Sequence, residues 1–161
     1  MKITLTQSYE MEIDNEDYDK IKDYKWHTRK CKNTCYAITH IYKSNKRTTI
    51  AVHRLLINVP ENMFVDHKDG NGLNNKKENL RICTNAQNQM NRNKPINNVS
   101  GFKGVYYINE KNRKRKYRAF ICKNNKTINL GDYFTPEEAA ITYDKKAKEL
   151  FGEFALLNFL E

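Results

Sequence analysis

Hydrophobic and polar positions alternate along the first third of the chain with the two-residue period of half-buried strands. Ile3 to Thr6, Tyr9 to Ile13, Trp26 to Lys30, Tyr36 to Tyr42 and Thr48 to Val52 are short runs rich in β-branched and aromatic residues. They predict a small antiparallel sheet with Trp26 as a core anchor. Between them, Asp14-Asn15-Glu16-Asp17 offers side-chain oxygens for free N–H groups and acids suited to a helix start, so a short helix is expected through about Tyr24. Arg54 to Ile57 reads as a brief helical or extended piece, ended by Pro60.

The pattern changes after residue 62. A strand from Met63 to Asp66 leads into Asp69-Gly70-Asn71-Gly72-Leu73-Asn74-Asn75, a run dense in residues that tolerate left-handed backbone angles. A return strand is expected over Leu80 to Cys83. Thr84 and Gln87 then have capping-box spacing, which predicts a helix from Asn85 that carries Asn88 in its opening turns. Asn91 to Ser100 is polar, contains Pro95 and lacks a period, so it reads as a linker. Three further strands are expected, Phe102 to Ile108, Lys116 to Lys123 and Thr127 to Leu130. Thr135-Pro136-Glu137-Glu138 then supplies a cap, a proline at the first helical position and early acids. Ala140, Tyr143, Ala147 and Leu150/Phe151 recur at helical spacing up to Gly152. Within the second strand of this set, Tyr117, Ala119 and Ile121 should face the helix, with Lys116, Arg118, Phe120 and Cys122 outward. The fold class is α+β: an N-terminal antiparallel β-rich region leading into a strand-loop-strand-helix unit, followed by a three-stranded antiparallel sheet packed on one helix.

Composition sharpens this. The 161 residues are 39% hydrophobic with a mean hydropathy of -0.89, which leaves only modest cores and favours small modules. The net charge of +10 is concentrated: Arg92 to Lys126 holds eleven Lys or Arg against one acid, Glu110, and the remainder balances at eighteen bases and eighteen acids. With aromatics interleaved (Phe102, Tyr106, Tyr107, Tyr117, Phe120), that stretch points to a folded surface for a polyanion. Nucleic acid is favoured over an anionic membrane or a merely solvated face. No 18-residue apolar run and no signal-peptide pattern occur, so an intracellular protein with no membrane segment is expected. Its four cysteines, Cys31, Cys35, Cys83 and Cys122, should be reduced thiols.

The chemistry concentrates between Val65 and Asn88. Cleaving a phosphodiester requires a base for water, a cation to neutralise developing charge, and a frame for both. His67 suits the base because imidazole titrates near neutrality. Asp66 and Asn88 offer the oxygen donors a hard cation prefers. Asn79 sits where the loop closes and can bridge its backbone and help orient His67. Neighbours on a regular strand point to opposite faces, so Asp66 and His67 share one site only if the strand ends or distorts there. His27, Cys31, Cys35 and His40 have a spacing that could close around zinc, but the segment also reads as two strands around a turn, and structural zinc is not expected.

Asp66-His67, Asn79 and Asn88, with Asp69-Gly70-Asn71, Asn74-Asn75 and Asn79-Leu80-Arg81, resemble the HNH endonucleases of the His-Me (ββα-metal) finger group, especially phage and intron homing enzymes. The resemblance covers residues 48 to 92. It implies His67 as general base, Asp66 and Asn88 as ligands of one magnesium ion, and Asn79 as the supporting middle residue. Many relatives carry a metal-binding His where Asn88 stands, so magnesium, or manganese, is expected rather than zinc. His53-Arg54-Leu55-Leu56 also matches a segment that often precedes the finger, and His53, Arg54 and Arg81 are taken as phosphate or structural support.

Ser100-Gly101-Phe102-Lys103-Gly104-Val105, Lys116 to Ile121, Leu130-Gly131 and Glu137-Glu138-Ala139-Ala140 resemble an ethylene-response-factor (APETALA-type) DNA-binding domain over residues 100 to 159. This implies a sheet laid in the major groove with the helix behind it. Lys103, Arg113, Lys114, Arg115, Lys116 and Arg118 are the expected phosphate contacts, and Tyr106 and Asn129 the expected base readers. The organisation expected is a β-rich leader plus nuclease domain (1–92), a linker (93–99) and a DNA-binding domain (100–161), acting on double-stranded DNA in the cytoplasm of a phage-infected or bacterial host, with no small-molecule cofactor. The competing expectations are a non-catalytic DNA-binding regulator and an RNA-binding module.

Overall fold

Strand β1 (Lys2–Thr4) turns back on β2 (Glu10–Glu12) through Gln7 and Ser8, both with positive φ, and Ile3 pairs with Met11. A separate antiparallel sheet follows in the order β3 (His27–Lys30), β4 (Cys35–Lys43), β5 (Lys46–Ala51). The β4–β5 hairpin turns on Ser44 and Asn45, both left-handed, as a tight two-residue turn requires. The single sheet expected from the alternation is therefore two sheets, joined by an isolated parallel bridge between Thr6 and His27. Local alternation sets the faces of strands, whereas pairing partners depend on distant chain.

This computed structural model describes residues 1–95 and 97–159 and forms two compact units, Met1–Gln89 and Met90–Glu161. The first unit's core gathers Leu5, Met11, Ile13, Ile21, Trp26, Ala37, Val52 and Leu56. Trp26 is buried as expected, and its Nε1 donates to the Ile21 carbonyl at 3.0 Å. The helix expected from Asp14 to Tyr24 is instead a short 3-10 helix, Asn15–Lys20. Asp14 makes no side-chain cap; its carboxylate accepts the backbone N–H of Lys77, 63 positions away, at 2.8 Å.

Helix α1 (Val52–Leu56) buries its two ends, Val52 and Leu56, on one face, four residues apart. Strands β6 (Phe64–His67) and β7 (Leu80–Cys83) then pair antiparallel, with Phe64 opposite Cys83 and His67 opposite Leu80. Helix α2 (Asn85–Met90) follows directly. The Thr84 hydroxyl accepts the Gln87 N–H at 3.2 Å and the Gln87 amide oxygen accepts the Thr84 N–H at 2.8 Å, the reciprocal cap the sequence predicts.

In the second unit β8 (Val105–Tyr107), β9 (Tyr117–Lys123) and β10 (Lys126–Tyr133) form an antiparallel sheet with β9 central, covered by α3 (Pro136–Phe151). Ala139, Ala140 and Ala147 are fully buried, and with Tyr143 they pack on Val105, Ala119 and Ile121. Small side chains let the helix lie close to the sheet. A Cβ on Gly104, whose φ is +73°, would come within 1.9 Å of the Tyr143 ring. Helix α3 opens on the full Thr135–Glu138 capping box and ends at Gly152, as the sequence predicts. β10 runs three residues past the expected Leu130, across a bulge between Asn129 and Gly131. The architecture is α+β. Among the described residues no helix is long and apolar enough to cross a membrane.

Candidate active site

The antiparallel register of β6 and β7 sets Asp66 opposite Arg81. Arg81 Nη2 and Nε reach Asp66 Oδ2 at 2.6 and 2.8 Å, and both side chains are almost wholly buried. A charge-assisted pair with this much burial holds the carboxylate in one orientation. β6 keeps regular pairing through Asp66 and ends at His67, where the chain turns: the Gly70 N–H donates to the His67 carbonyl and the Lys68 N–H to the Asn79 carbonyl, each at 2.9 Å. Gly70 takes φ +73°, a conformation that favours glycine. The strand therefore ends at the Asp-His pair without distorting, and the two side chains take different partners.

Asp69 organises the loop. Its carboxylate accepts the Asn71 N–H at 2.8 Å, the Asn74 amide at 2.8 Å and the Asn79 amide at 2.9 Å. Partial burial pushes its pKa up, but these three bonds outweigh it and hold the group below the ordinary carboxylate range. Asn79 Oδ1 accepts the Asp69 N–H at 3.1 Å and its Nδ2 also donates to the Asn74 carbonyl at 2.8 Å. Asn79 closes the loop as expected, yet its amide is engaged with Asp69 and Asn74 and not with the histidine.

The His67 ring is buried, with Nε2 lying 3.2 Å from Asn75 Oδ1. His53 stands edge-on to it at 5.1 Å between centroids, and Tyr36 is 5.8 Å away. Burial lowers the His67 pKa, against the opposing pull of the Asn75 hydrogen bond and the charges of Asp69 and Asp66. His67 is accordingly neutral near pH 7, the form a base needs. His53 is pushed down to about 3, chiefly by burial and then by His67, and its buried Nδ1 has no hydrogen-bond partner among the described residues. A neutral aromatic wall suits His53 better than a phosphate contact. Tyr36 reaches this cluster because Gly72 is bare: a Cβ there would lie 2.6 Å from the Tyr36 ring and 2.5 Å from the Cys35 carbonyl oxygen.

Asn88 is half-exposed on α2, and its backbone N–H donates to the Thr84 carbonyl at 3.0 Å. Among the described residues no group of three or more His, Cys, Asp or Glu is placed to hold a metal. A cation here would draw on an oxygen set that includes amides. At the other histidines, His27 Nδ1 meets Thr6 Oγ1 at 3.1 Å, His40 Nδ1 meets Thr49 Oγ1 at 3.2 Å, and the four cysteines are free. Arg54 is exposed and donates to the Met63 carbonyl at 3.3 Å.

In the second unit Tyr106 is 61% exposed, Lys114 and Arg115 are exposed, and Lys116 is half-buried. The Arg115 guanidinium lies 5.2 Å from the Phe134 ring centroid. Arg113 pairs with Glu110 at 2.8 Å and with Asp132, and Arg118 reaches Asp132 through Nε at 2.7 Å and Nη2 at 3.1 Å. Hydrogen bonds from Arg118 and then Arg113 draw the Asp132 carboxyl down to about 2. Asn129 Oδ1 accepts the Gly131 N–H at 3.0 Å within the bulge. Lys103 donates to the Met90 carbonyl, and burial lowers its ammonium to about 8. Four of the eight expected DNA contacts (Lys103, Arg113, Arg118, Asn129) thus have hydrogen-bond partners within the protein. Sequence reasoning missed Asn75, Tyr36 and Asp132. Only the alternation placing Arg118 on an outward face hinted that an acid on the next strand would meet it.

A β-hairpin with an Asp-His pair closing its first strand, an asparagine clasping its loop and a short helix next in the chain are the parts that the resemblance to a ββα nuclease finger implies. The HNH endonuclease family matches residues 58–90. The chain is 41% identical over 103 residues to the "Uncharacterized HNH endonuclease L560" of Acanthamoeba polyphaga mimivirus, 64% of this chain and 51% of that protein. It is 32% identical over 97 residues to "Protein 3.8" of Escherichia phage T7, 60% of this chain and 77% of that protein. Residues 58–90 thus carry the HNH endonuclease domain, and nucleases of that family generally use a divalent metal. The chain spans about half the length of the mimivirus relative. No solved structure matches it.

Proposed function

We propose that the chain is a metal-dependent endonuclease that hydrolyses a phosphodiester in double-stranded DNA, of the homing type, with a basic sheet module that grips the duplex. The observation carrying this reading is the ββα unit itself: a buried, neutral His67 follows Asp66 at a strand end, and the helix bearing Asn88 begins two residues after the return strand. His67 takes the proton of the attacking water, whose oxygen bonds to phosphorus as the bond to the leaving oxygen breaks. Asp66 and Asn88 are the residues that would hold the cation. Their fit rests on donor chemistry: a carboxylate fixed by Arg81 and a half-exposed amide oxygen, both hard ligands suited to magnesium or manganese. A cation held there would supply positive charge to offset that developing on the phosphoryl and leaving oxygens. Asn79 holds the loop shut beneath the base.

Tyr106, Lys114, Arg115 and Lys116, the expected contacts left for solvent or packed only lightly, are the DNA-facing set of the ethylene-response-factor-like module. Purified protein should nick or cut DNA with magnesium and stop on chelation. His67→Ala should lower the rate at least about a thousandfold, the scale of losing a positioned base, while duplex affinity stays within twofold. Undiminished cutting by that variant overturns the assignment. The Arg81–Asp66 pair favours a second reading, a DNA-binding regulator whose carboxylate is satisfied without a cation. Duplex binding with no magnesium-dependent cleavage selects it.

A further inference from the structure

Asn75 is fully buried, whereas Asp69 and Asn71 of the same loop are exposed. Its backbone N–H donates to the Glu12 carbonyl at 2.7 Å, its Nδ2 donates to the Leu73 carbonyl at 3.0 Å, and its Oδ1 faces His67 Nε2 at 3.2 Å. Leu73's carbonyl also accepts the Glu12 N–H at 2.8 Å, which pins this stretch to β2. The direction of each bond is fixed by chemistry. A backbone carbonyl only accepts, so the amide must present its NH₂ to Leu73 and its oxygen to the imidazole. An amide oxygen also only accepts, so His67 Nε2 must carry hydrogen, and the lone pair of the neutral ring lies on Nδ1. The ring's other freedom is removed by packing against His53 and Tyr36.

We propose that Asn75 is the positioning residue of the hydrolysis: it holds His67 as the Nε2–H tautomer and thereby makes Nδ1 the atom that receives the proton from water. The role rests on reading His67 as the general base. It falls to Asn75 because the amide of Asn79, the expected orienter, is engaged with Asp69 and Asn74. In serine hydrolases a buried acceptor sets the histidine tautomer in the same way, and disturbing it costs orders of magnitude in rate with geometry intact.

The test uses the full chain labelled with nitrogen-15. Two-bond ring correlations of His67, assigned by comparison with His67→Ala, should show Nε2–H in the wild type. An Nδ1–H ring overturns the proposal without reference to activity. Asn75→Leu, close in size and without an acceptor, should lower the single-turnover cleavage rate about a hundredfold, with duplex Kd within twofold, and lose the single tautomer. Asn75→Asp keeps an acceptor towards His67 but loses the donor to Leu73, so it should retain Nε2–H. If Asn75→Leu does not fold, the wild-type spectrum and Asn75→Asp still decide the matter. A folded Asn75→Leu that cuts at the wild-type rate sinks the proposal. Retained cutting by His67→Ala sinks instead the assignment of the base, which separates the two failures.

Discussion

Asp132 shows how one carboxylate governs two arginines. Arg113 and Arg118 both point their guanidinium donors at it, and its pKa is drawn down to about 2. A depressed folded pKa stabilises above the ordinary carboxylate value of about 4, and the contribution is lost as pH falls through about 2. Asp132→Asn should therefore destabilise the protein by about 1 kcal/mol at pH 7, the upper scale for a solvent-touched ion pair. Urea melts at pH 7, 3 and 2 should show the gap from wild type closing towards the lowest pH. An unchanged gap at pH 2 would assign the loss to packing. Asn75 and Asp132 escaped notice in the sequence for a shared reason: each acquires its role from partners on another segment. The Asp66–Arg81 pair is different, since two strands joined across a loop must set some residue opposite Asp66, and only the register was unknown.

At the scale of elements, legibility followed the range of the forces involved. Helix α3 and helix α2 were readable because their caps, Thr135 with Glu138 and Thr84 with Gln87, lie within four residues. The 3-10 helix was not, because Asp14 turns from its own helix to the Lys77 N–H. Nor was the division of the N-terminal strands into two sheets, which depends on turns at Gln7-Ser8 and on pairing across the chain. Helix α2 is only six residues long, too short to persist without its cap. Thr84→Ala should cost about 1 kcal/mol of local helix stability. Because α2 carries Asn88, the magnesium concentration giving half-maximal cleavage should rise severalfold while the melting midpoint moves by only a few degrees. A magnesium requirement equal to wild type would remove Asn88 from the cation site.

For the molecule as a whole, charge is segregated: the eleven bases of residues 92 to 126 stand against a balanced remainder. The structure narrows which of them are available to DNA, because Lys103, Arg113 and Arg118 are engaged within the protein. The double substitution of Lys114→Gln and Arg115→Gln should flatten the plot of log affinity against log salt by about 1.8, at about 0.9 for each phosphate no longer neutralised. Cleavage at saturating protein should be unaffected. An unchanged slope would place the DNA elsewhere on the surface. The α+β class and the finger at residues 58–90 were readable, whereas the partners of the basic side chains were not, since an arginine in a sequence carries no sign of the acid it will meet. Finally, the bare Cα of Gly72 against the ring of Tyr36 couples a loop position to a position on β4. Among descendants of this sequence, a methyl gained at 72 should coincide with loss of the aromatic at 36, a covariation between remote columns that would leave the histidine without one of its walls.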